Sequence, residues 1–235
     1  MIRVRKADAR GHVEHGWLHS HHTFSFADYY DSAHMGFSVL RVINDDTVEP
    51  GKGFGTHPHR DMEIISYVLE GELEHRDSMG HGSVIRPGDV QRMSAGTGVT
   101  HSEFNPSSSQ RTRFLQIWII PDRQGLAPGY AQQTFPDALL SNHFLCVASG
   151  DGRDGSITIH QDAQIYLGKL HASKASFTVA EGRCAYVHLA KGSVRMSGNA
   201  LQGGDGAYID SATQLNFDQA NDAEVLLFDL PIREK

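Results

Sequence analysis

Strand-length apolar runs separated by glycine turns recur along the whole chain, and one order of parts occurs twice. In the first half, Tyr67-Val68-Leu69-Glu70-Gly71-Glu72-Leu73 is followed by Pro87-Gly88-Asp89 and then by Leu115-Gln116-Ile117-Trp118-Ile119-Ile120-Pro121. In the second half, Val187-His188-Leu189-Ala190-Lys191-Gly192-Ser193-Val194 is followed by Gly203-Gly204-Asp205 and then by Val225-Leu226-Leu227-Phe228-Asp229-Leu230-Pro231. Strand, glycine turn, strand, Gly-Asp turn and a closing apolar strand thus repeat in the same order. Runs at 37–43, 63–69, 114–120, 165–170, 185–190 and 224–230 are rich in Val, Ile, Leu, Tyr and Phe, as strands are. No long segment carries a helical period. The 24 glycines supply the tight turns that such a chain needs. An all-β protein built from two β-barrel domains is expected.

Between the two copies, Pro121, Gly125, Pro128, Gly129 and Pro136 punctuate a polar stretch with little alternation. The expected division is a first domain over 1–125, a connection over 126–142 and a second domain over 143–235. A formal net charge of −7 argues against direct binding to nucleic acid, since phosphate backbones are held by clustered Lys and Arg. No apolar run approaches the length of a membrane span, and Met1-Ile2-Arg3-Val4-Arg5-Lys6 lacks the apolar stretch of a signal peptide. A cytoplasmic protein without a membrane partner is therefore expected. Cys146 and Cys184 are far apart, each in an apolar setting, and read as buried free thiols.

Histidine is over-represented at fifteen residues, so position must single out the functional few. On an extended strand, residues two apart face the same way. His57-Pro58-His59 therefore presents two imidazoles on one face, and Pro58 places that strand at an edge or rim. His101-Ser102-Glu103 repeats the spacing after Gly96-Thr97-Gly98. Two such strands facing one interior would bring three imidazoles and a carboxylate to one point. Four protein ligands leave positions open on a six-coordinate metal, as catalysis requires.

The carboxylate is a choice. Glu63, four residues beyond His59, competes with Glu103. Glu103 is favoured because it shares a strand and a face with His101; Glu63 would then orient an imidazole from behind. Spacing alone does not choose the metal, because imidazole and carboxylate accept several divalent ions. In the second copy, Thr178, Ala180, Phe217 and Gln219 fall at the corresponding positions, so one metal per chain is expected, in the first domain. His171 and His188 read as packing or surface residues. His19 and His21 read as surface residues, because no carboxylate partner or paired strand is evident for them. Trp17 and Trp118 read as core anchors.

Gly51 with His57, His59 and Glu63 resembles the first cupin motif, and Gly88 with His101 and Asn105 the second, although Ser94 stands where the general pattern has proline. A narrower resemblance is to the pirin family. It rests on His57-Pro58-His59-Arg60, Tyr67-Val68-Leu69-Glu70-Gly71, Met93-Ser94-Ala95-Gly96-Thr97-Gly98, His101-Ser102-Glu103, the stretch from His22 to Tyr30, and Phe228-Asp229-Leu230-Pro231. It covers essentially the whole chain. It implies a bicupin (double-stranded β-helix, or jelly-roll) fold, a metal in the N-terminal domain only, and quercetin 2,3-dioxygenase activity. The ligands would be His57, His59, His101 and Glu103, with iron(II) foremost and copper, nickel, manganese or zinc as alternatives. Glu103 would serve as general base toward a flavonol-like substrate that reacts with O2 and releases carbon monoxide. His22, Phe24, Phe26 and Met35 are candidate pocket residues. The resemblance also raises a competing reading, a redox-sensing regulator acting through protein partners.

Overall fold

The computed structural model describes residues 1–233. Among them are twenty strands, one four-residue α-helix at Asp137–Leu140 and two short 3-10 turns, so the all-β expectation holds. None of the helices is long and apolar enough to cross a membrane.

The first half is two antiparallel sheets laid face to face. A seven-stranded sheet runs in the order Gly129–Thr134, Asp89–Ser94, Glu63–Glu70, Thr112–Ile119, Leu40–Val48, Leu18–His22, Gly11–Glu14. A four-stranded sheet runs Gly53–His59, Val99–Phe104, Leu73–Asp77, Gly82–Ile85. Leu18, Val48, Val68 and Phe114 of the larger sheet pack on Leu73 and Ile85 of the smaller. Strand Glu63–Glu70 shows why a nearly unbroken apolar run forms here. It is central in its sheet and buried on both faces. Ile64 and Val68 face the smaller sheet, while Ile65, Tyr67 and Leu69 face the second half.

The second half is one nine-stranded sheet. The long strands Arg183–Met196 and Thr213–Pro231 form its spine, and register shifts bend the pairing between them. Ala185, Val187, Leu189, Leu215, Phe217 and Val225 fill its interior. A separate apolar core, including Leu115, Ile117, Tyr186 and Phe228, joins the halves. Cys146 and Cys184 are buried free thiols, as their settings predict.

Two segments lie where the sequence did not put them. Ile2–Arg5 pairs with Gly206–Ile209 in the sheet of the second half. Gly129–Thr134, inside the stretch expected as a connection, is an edge strand of the first half on Asp89–Ser94. Its polar residues fit an edge: Gln132 Nε2 donates to Asp89 Oδ2 at 3.1 Å, and the Thr134 hydroxyl donates to Asp89 Oδ1 at 2.5 Å.

Polar groups also bind the halves. The Arg113 guanidinium grips both oxygens of Asp45 at 2.8 and 2.9 Å and donates to the Ala190 carbonyl at 3.2 Å. His188, in phase with Tyr186 and Ala190, is fully buried near this pair. Burial, reinforced by the Arg10 charge, pushes its pKa from 6.5 down to about 3. Asp46, buried on the opposite face of its strand, is pushed by burial from 3.8 up to about 7. The two act oppositely on stability. Between pH 4 and 6.5 the unfolded chain protonates His188 and the folded chain does not, so acidification costs stability. Across nearly the same window the folded chain keeps the Asp46 proton and the unfolded chain releases it, so acidification restores stability. Asp46→Asn should remove the second effect only. Urea unfolding between pH 6.5 and 4 is expected to show the variant losing about 1.4 kcal/mol per pH unit more steeply than the parent. Parallel slopes would refute the offset.

Candidate metal centre

The edge strand Gly53–His59 pairs with Val99–Phe104 in the register His57 to His101 and Pro58 to Thr100. Pro58 thus sits at an edge, where its missing N–H costs no ladder bond. Two glycines allow close backbone contacts around these strands. A Cβ at Gly53 would overlap the Glu103 carbonyl, and one at Gly96, at φ +47, would overlap the Leu126 carbonyl. The register slips between His101 and Glu103, giving the edge strand one extra residue between Phe54 and His57.

Three imidazoles converge as expected. His59 Nε2 and His57 Nε2 each lie 3.0 Å from His101 Nε2. With metal–nitrogen bonds of about 2.1 Å, that separation subtends roughly a right angle, which fits an octahedral ion better than a tetrahedral one. The donor set therefore fits a divalent transition metal. His57 Nδ1 donates to the Gly55 carbonyl at 2.7 Å, which leaves Nε2 as the lone-pair nitrogen. Burial, then the neighbouring imidazoles, lowers the pKa of His59 to about 4 and that of His101 to about 3. Both rings are neutral at pH 7 and available as ligands.

Glu103 stands one step back. Its nearest oxygen, Oε2, lies 3.9 Å from His101 Nε2. Gln116 Nε2 donates to Oε2 at 2.7 Å and the Ser66 hydroxyl donates to Oε1 at 3.1 Å. Glu63 goes elsewhere. The chain turns at Asp61, with φ +48, and the next strand points Ile64 inward and Glu63 toward the second half. There Glu63 accepts from the Ser94 hydroxyl at 3.0 Å and contacts His160 Nδ1 at 3.2 Å. The imidazole it orients is that of His160, not of His57, His59 or His101.

His75 was not anticipated. It is fully buried, with Nδ1 3.4 Å from His101 Nδ1 and Nε2 3.2 Å from Asp77 Oδ2. Burial works against the Asp77 charge, but hydrogen bonds from His75 and from the backbone N–H groups of His81 and Met79 outweigh it and lower its pKa. An anionic Asp77 accepts a hydrogen bond from His75 Nε2–H, and His75 Nδ1 then accepts from His101 Nδ1–H. That chain turns the lone pair of His101 Nε2 toward His57 and His59. The one legible signal was alternation: His75 lies between inward-facing Leu73 and Asp77.

A family model described as Pirin matches residues 3–119, and one described as the quercetinase C-terminal cupin domain matches residues 146–230. The chain belongs to the pirin family. A quercetin 2,3-dioxygenase of Escherichia coli K12 is 50% identical over 232 residues, covering 98% of this chain and 99% of the relative. The crystal structure of a bacterial pirin of Escherichia coli in complex with nickel(II) superposes with a TM-score of 0.94 at 48% identity, covering 99% of this chain and all of that one. A quercetin 2,3-dioxygenase structure from Acinetobacter baumannii shares the fold, with a TM-score of 0.73 at 24% identity over 92% of this chain and 82% of that one. The bicupin architecture is thereby shown.

The aromatic residues around the centre of this pirin separate into two groups. Trp118, expected as a core anchor, is half-buried and stands edge-on to His59 at 5.0 Å and to Phe26 at 5.3 Å. Among the described residues its Nε1–H is buried without a partner. His22 packs edge-on to Phe26 at 5.3 Å, and its Nδ1 is likewise unpartnered. Phe24 is turned away: it is fully buried between the halves, with ring centroids 5.6 Å from Tyr186 and 6.4 Å from Tyr208. Met35 is 43% exposed. Trp17 packs at the edge of the inner core against Phe54.

Proposed function

We propose that this pirin is a metal-dependent dioxygenase that opens the heterocyclic ring of a flavonol such as quercetin with O2 and releases carbon monoxide. The convergence of the three Nε2 atoms carries the reading, in a chain half identical to a quercetin 2,3-dioxygenase. His57, His59 and His101 would hold the metal, with Glu103 as the fourth donor. Iron(II) is the first choice; the nickel(II) held by the Escherichia coli pirin is compatible with the same donors. When bound, a divalent ion supplies positive charge that favours a deprotonated hydroxyl beside it.

The chain's own groups do the rest. Glu103 takes the flavonol 3-hydroxyl proton and holds it. Gln116 and Ser66 fix that carboxylate, so the proton arrives at a defined oxygen. Trp118 and Phe26 offer aromatic edges to a planar substrate, and the unpartnered Trp118 Nε1–H offers a donor to a substrate oxygen. His75 holds His101 in place. His75→Gln is expected to weaken metal binding by about 10–100-fold with the fold intact, measured by nickel titration.

The test is an aerobic quercetin assay at full metal loading that follows flavonol absorbance and carbon monoxide together. Both signals should appear in air and stop under nitrogen. Metal-dependent capture of protein partners without turnover would instead favour the regulatory reading.

A further inference from the structure

The hairpin of Gly11–Glu14 and Leu18–His22 forms the outer edge of the seven-stranded sheet. Its register sets His12 directly opposite His21 and Glu14 directly opposite His19. Residues two apart on a strand share a face, so these four side chains stand together. Leu18, Ser20 and His22 take the buried face. The cluster therefore lies across the strand from the centre described above and shares no residue with it. The carboxylate that His19 and His21 lacked in the sequence arrives from the neighbouring strand.

One donor atom each from His12, Glu14 and His19 lies within 4.8 Å of the others. Glu14 is oriented for the role. Its Oε1 accepts the Gly16 N–H at 2.9 Å, which holds the carboxylate over the turn and aims Oε2 at His19 Nδ1. The turn is closed by His15 N–H donating to the Leu18 carbonyl at 2.9 Å. The His12 ring is held by stacking on His21, with centroids 4.8 Å apart and planes 22° apart. His12 and Glu14 are exposed and His19 is half-buried, so an ion can enter from solvent and keep water on its open positions.

We propose that His12, Glu14 and His19 form a second divalent transition-metal site. Two imidazoles and one carboxylate suit a borderline ion such as Zn2+, Ni2+ or Cu2+ rather than Ca2+ or Mg2+. A bound ion would bridge the two strands of a hairpin that the sheet supports from one side only. The proposal stands whether or not the chain is a dioxygenase.

Nickel(II) chloride is the probe, with equilibrium dialysis and elemental analysis of the full-length, metal-stripped chain. The wild type should bind two ions per chain. His57→Ala/His59→Ala should bind one, His12→Ala/His19→Ala should bind one, and the fourfold variant none. In the His57→Ala/His59→Ala background, Ni2+ should broaden the imidazole resonances of His12 and His19 before those of His15, and Glu14→Gln should weaken that effect. Two ions retained by His12→Ala/His19→Ala, or none bound by His57→Ala/His59→Ala, would overturn the site. The mutated hairpin residues are largely exposed, so circular dichroism should show all these chains folded.

Discussion

Glu103→Gln should leave the protein folded and metal-loaded while quercetin turnover falls about 10²–10⁴-fold. The amide has nearly the shape of the carboxylate and still fits between Gln116 and Ser66. Its oxygen accepts from Gln116 Nε2, and its NH2 donates to the Ser66 hydroxyl in place of the bond it now receives. The three imidazoles are untouched. What is lost, on the proposed function, is the group that takes the hydroxyl proton. The loss should therefore fall on kcat rather than KM, and metal content measured on the same sample should stay near that of the parent. A variant with full turnover would move the base elsewhere, and a variant without metal would make Glu103 chiefly a ligand.

The second large effect concerns stability. Phe24→Ala should cost about 3–5 kcal/mol, because a fully buried ring between Tyr186 and Tyr208 is replaced by a cavity. For a chain of this size that lowers Tm by roughly 10 °C, read by calorimetry. At a temperature where the variant is folded, KM for quercetin should match the parent. A raised KM with unchanged Tm would return Phe24 to the substrate pocket. Phe26, two residues on and edge-on to Trp118, should behave in the converse way.

These two phenylalanines show where the sequence was legible and where it was not. The convergence of the three histidines could be read because strand period, imidazole chemistry and glycine turns all act locally. His57, His59 and His101 converge as that logic requires. Phe24 and Phe26 share a parity, but the segment between His22 and Leu40 is an irregular loop with Ala27 and Ser38 at positive φ, so alternation says nothing about facing. The Glu63 question turned on one backbone break at Asp61, which spacing does not reveal. His75 was hidden because alternation beside Leu73 and Asp77 was its one local signal; its partner His101 is met only once the sheet is assembled. Gly129–Thr134 was read as a connection because an edge strand needs hydrogen-bond partners more than apolar side chains. The same blindness to cross-strand neighbours left His19 without the carboxylate that Glu14 brings from the facing strand.

The pairing of Ile2–Arg5 with Gly206–Ile209 has a consequence for synthesis. The first strand leaves the ribosome about 200 residues ahead of its partner. At about 5–20 residues per second it waits roughly 10–40 s for that partner to emerge. The strands Gly53–His59 and Val99–Phe104 need no such wait, since everything they pair with has been made by the time the first half is complete. The cluster of His57, His59 and His101 can thus assemble while Ile2–Arg5 is still unplaced. The last step of folding would then be the return of the N-terminal strand to the second half, sealing the edge at Gly206–Ile209.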